Sequence, residues 1–343
     1  MSLNFKTEKR HARILSVGAY RPPRVVPNSE IVDKIDSTDE WIQQRTGIQT
    51  RHFADANESL IDMATKASEI AIKRAGLTSK DISAVIFSTI SYPYQAPSAA
   101  TELIVRLDNP KAAAFDVSAA CAGFCYGVGI ANDMVSNKTA EYVLVVGAEK
   151  LSDFTDPYDR ATAFIFADGA GAVVIGPSDE PGIGPTIWGS SAETRDAITL
   201  EPSYLEYKKN PGKTDLGWPN ISQQGQTVFR WAVYEMAPVG LKAIEAAGLT
   251  PETLSAFIPH QANYRILEAV AGQLNVSLDR FPSNLDRFGN TSAASIPLAL
   301  STAVADGRIQ RGQVVLMEAM GGGSASGDFW NAQRDRSQND LFW

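Results

Sequence analysis

Two stretches of the chain carry the same order of apolar and polar positions. Residues 58–75 (ESLIDMATKASEIAIKRA) and 228–247 (VFRWAVYEMAPVGLKAIEAA) space their apolar residues three and four apart, which predicts amphipathic helices. Each runs into Gly-Leu-Thr and then a β-branched apolar run, over 84–89 and 255–259, which predicts a glycine stop, a turn and a buried strand. The windows RAGLTSKDISAVI (74–86) and AAGLTPETLSAFI (246–258) coincide at a constant offset of 172, with Ala75/Ala247, Gly76/Gly248, Leu77/Leu249, Thr78/Thr250, Ser83/Ser255, Ala84/Ala256 and Ile86/Ile258 identical. The offset extends more weakly. The strand, turn and helix around Cys121 fall opposite those around Asn290, and EYVLVVGAEK falls opposite QVVLMEAMGG.

A unit folded twice predicts an α/β protein of two duplicated βαβ-rich halves. Two similar, parallel-type sheets would pack face to face, with helices between and outside them. Pro, Gly and polar residues thicken near 175–225, so the division is placed at 1–178 and 179–343.

Composition narrows the class. The 343 residues are 44% hydrophobic and 20% charged, ordinary for a globular chain with ample core. The first residues, MSLNFKTEKRHARILSVG, lack the apolar centre of a signal peptide, and no apolar run reaches the length of a membrane span. Two cysteines make no disulfide framework, so a cytoplasmic location is expected. No motif with metal-ligand spacing occurs, so no metal is expected. A net charge of −8 argues against nucleic-acid binding and requires a local basic patch for any acidic partner.

The chemistry centres on Cys121. Its segment, AAAFDVSAACAGFCYGVGIANDMV, runs from a short strand through small residues into an apolar helix. A thiol there meets unpaired N–H groups and the positive end of the helix dipole, which favour a thiolate. Cys125, one turn later, reads as a core residue. His260 in PHQAN and Asn290 in FGNTSAAS are polar residues in turns that lead into apolar helices. Taken singly, Cys121 reads also as a buried small core residue, His260 as a core or capping histidine, and Asn290 as a loop end that lets Ser292 cap its helix. Together the three are the parts of an acyl-transfer site, assembled by folding.

Six motifs in order then carry a resemblance: DEWIQQRTGI (39–48), AFDVSAACAGF (114–124), DPYDRATAFIFADGAGA (156–172), IPHQANYRI (258–266), DRFGNTSAASIP (286–297) and MEAMGGG (317–323). From about residue 12 to 323 the chain closely resembles the β-ketoacyl-acyl carrier protein synthase III family. The resemblance implies a thiolase-like fold, layered α-β-α-β-α, and a cytoplasmic homodimer that starts fatty-acid synthesis. Cys121 would take the acyl group from acyl-CoA. His260 and Asn290 would support decarboxylation of malonyl-acyl carrier protein and attack of its carbanion on the acyl-cysteine. An oxyanion hole would come from the N–H groups of Cys121 and the glycine run 321–323, with Gly322 the matching residue. Trp41 and Arg160 match residues that sandwich the adenine of CoA, Arg45 a phosphate contact, and Asn263 a pantetheine or water contact. Arg230 and Arg265 match carrier-docking positions, while Ala96, Leu151 and Phe166 match the acyl pocket. CoA thioester is a substrate, and no cofactor or membrane is implied.

Three departures qualify the resemblance. Ala96 stands where acetyl-specific members carry a phenylalanine closing the partner subunit's pocket, so longer or branched primers are expected. The helix after Arg265 continues EAVAGQLN without a lysine, and Gln223 replaces an apolar residue frequent near the site. From residue 324 the chain departs from the usual short apolar strand and reads as an atypical tail. Two rivals therefore accompany the condensing enzyme. One is an acyltransferase of the same fold that passes the acyl group to an alcohol or amine in secondary metabolism. The other is a non-catalytic partner subunit, which would have no use for the cysteine.

Overall fold

The computed structural model describes residues 10–210, 217–322 and 324–331. Its strands are β1 (His11–Tyr20), β2 (Arg24–Pro27), β3 (Thr50–Phe53), β4 (Ala84–Ser88), β5 (Ala113–Val117), β6 (Val143–Lys150), β7 (Asp168–Ser178), β8 (Ile187–Ser190), β9 (Ile198–Glu201), β10 (Asn220–Gln223), β11 (Ala256–Pro259), β12 (Val314–Gly321) and β13 (Ser324–Asn331). Its helices are α1 (Asp39–Thr46), α2 (Leu60–Arg74), α3 (Ala99–Arg106), α4 (Gly123–Ser136), α5 (Tyr204–Lys209), α6 (Gly225–Ala246), α7 (Tyr264–Leu274), α8 (Leu285–Phe288) and α9 (Ser295–Ala305).

Five layers follow from where the apolar faces go. One sheet has the order β1-β7-β6-β4-β5 and the other β11-β12-β13-β8. Helices α4 and α9 lie between them, so Val128, Ala131, Ile296 and Leu300 share one core with Ile86, Val145, Ile258 and Met317. On the outer face of the first sheet, Met63, Ala67 and Leu103 of α2 and α3 cover Leu144, Val146 and Val174. On the outer face of the second, Met236, Ile244, Ile266 and Val270 of α6 and α7 cover Phe257, Leu316 and Met320. Alternate residues of each central strand thus feed opposite cores, as the pleat requires.

The repeat has the same backbone in both copies. Helices α2 and α6 are capped at their C-terminal ends by Ala75 and Ala247, and the next residues, Gly76 and Gly248, have φ of +72° and +70°. Only glycine adopts that left-handed stop without strain. Thr78 and Thr250 then form capping boxes on the short 3-10 turns Ser79–Asp81 and Pro251–Thr253, which lead into β4 and β11.

Two expectations need correction. The sheets are mixed, not simply parallel: β4 is parallel to β5 and β6, but β7 is antiparallel to both β6 and β1, and β13 is antiparallel to β12 and β8. A chain that turns directly from β12 into β13 can only pair antiparallel. The segment read as an atypical tail begins as that strand, since residues 324–331 form β13 in the middle of the second sheet. Residues 332–343 lie outside the described residues.

Candidate active site

The chain enters the site through a tight elbow after β5. Ala120 has φ of +46°, the 3-10 turn Ala120–Ala122 follows, and α4 begins at Gly123. Small residues are needed here because β12 ends against this turn: a Cβ on Gly321 would lie 2.5 Å from the Ala119 carbonyl oxygen and 2.9 Å from the Cys121 amide nitrogen. Cys121 keeps a partly exposed face toward a cavity. Cys125 is fully buried in the core between the sheets, as expected.

The expectation of a ready thiolate is corrected. Burial pushes the Cys121 thiol up to about 12, and the negative charge of Glu149 adds to the effect, while the nearby Ser292 hydroxyl and the cysteine's own amide work against it. The protein atoms packed around the sulfur raise the thiol despite its face open to the cavity, and so act against the helix terminus.

His260 follows β11 and is 3% exposed. Burial lowers its value to about 3, so the ring is neutral at ordinary pH. Its Nδ1 lies 2.6 Å from Ser295 Oγ, which also accepts the Gln261 amide N–H at 3.3 Å. The serine hydroxyl proton is then free for Nδ1, which leaves Nε2 as an N–H donor. Asn290 is held by the backbone of the Ile165–Ala167 segment. Its amide donates to the Ile165 carbonyl at 2.9 Å, and its carbonyl accepts from Ala167 at 2.9 Å. Its side-chain oxygen accepts the Ser292 amide at 2.8 Å, which turns its NH₂ group outward as a donor.

Folding brings these three side chains to one cavity. Cys121, His260, Asn290, Ser292, Gly321 and Gly322 line a pocket of about 770 Å³, whose other walls include Ile90, Ile165, Phe166, Ile198, Ile221 and Met320. A second, wider cavity of about 1230 Å³ adjoins it. Trp41, Arg45, Arg160, Arg230 and Arg265 line the wider cavity, and Ile165, Gln223, Gly225, Phe229 and Asn263 line both. Four arginines therefore surround the mouth of an apolar pocket in a chain of net charge −8. Arg45 and Arg160 stand over the Trp41 ring at 5.0 and 5.3 Å, and Arg265 over Phe229 at 5.4 Å. Asn263 caps α7, its side-chain oxygen accepting the Arg265 amide at 2.9 Å.

The family described as "3-Oxoacyl-[acyl-carrier-protein (ACP)] synthase III" matches residues 115–192, and its "C terminal" counterpart matches 244–329. A "Beta-ketoacyl-[acyl-carrier-protein] synthase III 1" of Streptomyces coelicolor is 49% identical over 324 residues, spanning 91% of this chain and 94% of its own. The chain belongs to the β-ketoacyl-acyl carrier protein synthase III family. A synthase III of Streptomyces glaucescens is 50% identical over 317 residues, with 91% and 93% covered. Among solved structures, the priming β-ketosynthase of the R1128 polyketide biosynthetic pathway superposes with a TM-score of 0.93 at 39% identity, over 97% of this chain and 99% of that one. The synthase III of Aquifex aeolicus superposes at 0.87 and 35% identity, over 93% and 99%. This synthase III chain is accordingly an acyl-transferring condensing enzyme of thiolase-like fold.

One of the expected pocket residues of this synthase III chain, Leu151, lies elsewhere, whereas Ala96 was expected at the partner subunit's pocket and not at this chain's own. Leu151 is wholly buried in a cluster with Phe154, Phe164 and Phe166, one layer behind the cavity wall that Phe166 forms. Ala96 is exposed on the surface, away from this chain's own cavity. Sequence reasoning missed Ser295, which fixes the His260 ring, and Glu149, buried near the thiol. Each lies far along the chain from its partner, and neither stands in a motif that names its role. Among the described residues no cluster of His, Cys, Asp and Glu is arranged to hold a metal, and no helix is long and apolar enough to cross a membrane.

Proposed function

We propose that the chain takes an acyl group from acyl-CoA onto Cys121 and extends it with malonyl-acyl carrier protein. The observation that carries this is the meeting of Cys121 with two neutral donors, His260 and Asn290, in an apolar pocket behind a basic mouth. In loading, Cys121 Sγ bonds to the thioester carbon, and the N–H groups of Cys121 and Gly322 receive the oxyanion. In condensation, malonyl-carrier loses CO₂ and the enolate oxygen gains negative charge. His260 Nε2–H and Asn290 Nδ2–H stabilise it, and the carbanion attacks the acyl-cysteine. A neutral histidine suits this step because its Nε2–H donates a hydrogen bond yet is too weak an acid to protonate the carbanion.

The arginine-lined mouth takes the nucleotide end of CoA, with adenine on Trp41 against Arg160 and phosphate on Arg45. Arg230 and Arg265 on the same rim meet the acidic carrier. The apolar walls call for an acyl chain, and no cofactor takes part in either half-reaction. We place the enzyme in the cytoplasm and divide it at 178/179, since the first sheet uses residues 11–178 and the second 187–331. A homodimer is supported by β5, an edge strand whose outer side is free to pair with a second copy, and by Ala96, which faces away from its own pocket. There Ala96 would leave room for primers longer or more branched than acetyl.

Intact-mass analysis after incubation with a panel of acyl-CoAs, then with malonyl-carrier, tests the reading. An adduct on Cys121 that disappears as CO₂ and a β-ketoacyl-carrier form is expected. An adduct indifferent to malonyl-carrier, but discharged by an alcohol or amine, would replace condensation by simple acyl transfer.

A further inference from the structure

The reaction described above leaves the Cys121 proton without a destination. The thiol is held protonated, the ring of His260 is arranged as a donor, and α4 has no acidic or basic residue in its first turn. The titratable group whose charge acts on the thiol is Glu149, at the C-terminal end of β6 and fully buried. Its Oε2 accepts Ser91 Oγ at 2.5 Å, Thr89 Oγ1 at 3.0 Å and the Ile90 amide at 3.2 Å, whereas Oε1 has only the Ile90 amide at 3.3 Å. One carboxylate oxygen is thus saturated and the other is left open.

Ser292 lies within reach of both the carboxyl group and the thiol. It has φ of +47°, is 1% exposed, and lines the reaction cavity beside Cys121. Its hydroxyl acts on both the Cys121 thiol and the Glu149 carboxyl yet closes a full hydrogen bond with neither. A buried hydroxyl within reach of two titratable groups, with its bonds unmade, is costly unless it has work to do. The position is fixed by packing: a Cβ on Gly147 of β6 would lie 2.2 Å from the carbonyl of Ala293, so strand and turn touch through backbone.

We propose that Ser292 is a further catalytic residue that carries the Cys121 proton to and from Glu149. As Sγ bonds to the thioester carbon and the bond from that carbon to the CoA sulfur breaks, the thiol proton passes to Ser292 Oγ. The serine's own proton passes to the Glu149 carboxylate. CoA leaves as a thiolate and takes a proton from water. When the carbanion attacks the acyl-cysteine, a C–C bond forms and the Cys121 C–S bond breaks. The departing thiolate then takes its proton back from Ser292, and Ser292 from Glu149. One solvent proton is consumed per turnover and one CO₂ released, so the sequence balances. Glu149 touches no substrate and acts through Ser292.

Burial raises Glu149 to about 7, which suits a group that must accept a proton in one half-reaction and return it in the next. Other charged groups around it are engaged elsewhere. Lys150 points to the opposite face, 3.2 Å from the Asp55 carbonyl and 3.6 Å from Asp153. Asp168 on β7 is held by Ser152 and the Ala54 amide. Helix α2, with Asp62, Lys66, Glu69, Lys73 and Arg74, covers the opposite face of the sheet. Helix α4 brings the buried Cys125 and, in its last turn, Asp133, and β4 and the turn Ser292–Ala294 bring no charge.

The proposal rests on the reading of Cys121 as the acylated residue, but its test does not need a substrate. Alkylation of Cys121 by iodoacetamide, assigned by peptide mass, is followed from pH 5.5 to 9 in the wild type, Ser292→Ala and Glu149→Gln. The wild-type rate is expected to rise about tenfold per pH unit and break near 7, because the relay needs ionised Glu149. Both variants lose that break and react about 10²-fold more slowly at pH 8. Alanine at 292 keeps a backbone that Ala120 already adopts at the corresponding elbow, so Ser292→Ala stays folded if Glu149→Gln does not. A break near 7 that survives in Ser292→Ala, or a fall by the same factor at every pH, would overturn the relay. Failure of every acyl-CoA to load, with the alkylation break intact, would instead count against the proposed substrate.

Discussion

The two elbows at Cys121 and Ser292 are the same backbone put to different uses. Ala120 and Ser292, 172 residues apart, have φ of +46° and +47°, and each opens a 3-10 turn that runs into a helix at Gly123 or Ser295. In the first, the second residue of the turn is Cys121, the proposed nucleophile. In the second it is Ala293, and the polar residues sit around it: Asn290 before the turn, Ser292 at its start, Ser295 after it. Packing separates them too. The first elbow leaves Cys121 partly open to the cavity, whereas the second is buried and pinned through Asn290 to residues 165 and 167. Even the helix starts differ, since a Cβ at Gly123 would lie 2.9 Å from the Ser88 side chain, while Ser295 uses the same place to hold His260. Duplication supplied a strained turn that presents side chains to a shared cavity, and chemistry then diverged within it.

Removing the proposed nucleophile breaks the comparison most completely. Cys121→Ala is expected to abolish acyl loading, a loss of about 10⁵-fold or more in turnover, with no adduct by intact mass. Removing a donor at the other side of the cavity splits the half-reactions instead. Asn290→Ala or His260→Ala should lower condensation about 10²–10³-fold while the acyl adduct still forms, read as adduct accumulation after malonyl-carrier is added. Equal losses of loading and condensation in these variants would mean that Asn290 and His260 support the thiol, not the enolate.

How much of this was legible follows from which interactions are local. The glycine stop, capping box and strand of each repeat are set by neighbours in sequence, so Gly76 and Gly248 could be read directly. Cys121 stood out as a thiol in a run of small residues, and His260 and Asn290 as polar residues in turns that lead into apolar helices. The antiparallel strands of the two sheets could not be read, because pairing direction depends on which strands become neighbours in space. Nor could the state of the thiol. A helix terminus can be inferred from sequence, but the burial that overrides it, and the carboxylate of Glu149, are properties of the folded site. Leu151 and Phe166 carry the same apolar signal, yet only Phe166 reaches the cavity.

The next test addresses the strand that closes the first elbow. At the same offset Gly321 falls opposite Glu149, so one half places a carboxylate where the other needs bare backbone. Gly321→Ala would push a methyl group against the Ala119 carbonyl and the Cys121 amide. With backbone on both sides the clash cannot relax through a rotamer. The overpacking is expected to remove about 1–3 kcal/mol of stability and to slow loading about 10–100-fold by displacing the oxyanion donors. Loading at the wild-type rate with an unchanged melting temperature would show that this contact does not position Cys121.

The smallest effect concerns Glu318, which falls opposite Val146. Val146 lies between Leu144 and Ala148 in the core beneath α2, and Glu318 lies between Leu316 and Met320 beneath α6, each fully buried. Neither Glu318 oxygen closes a hydrogen bond, and burial raises its value well above the usual carboxylate range, with the Gly240 backbone only partly opposing. The folded protein therefore holds a proton that the unfolded chain has given up at neutral pH. Below the unfolded value of 4.5 both states are protonated and the residue is harmless. As pH rises above it, unfolding gains from releasing the proton, so stability falls toward the raised folded value. Glu318→Gln removes that dependence. It should raise stability by about 1–2 kcal/mol at pH 8, by almost nothing at pH 4, and leave loading unchanged. Thermal melts at the two pH values distinguish this from a structural carboxylate, for which the variant would be less stable than the wild type at pH 8.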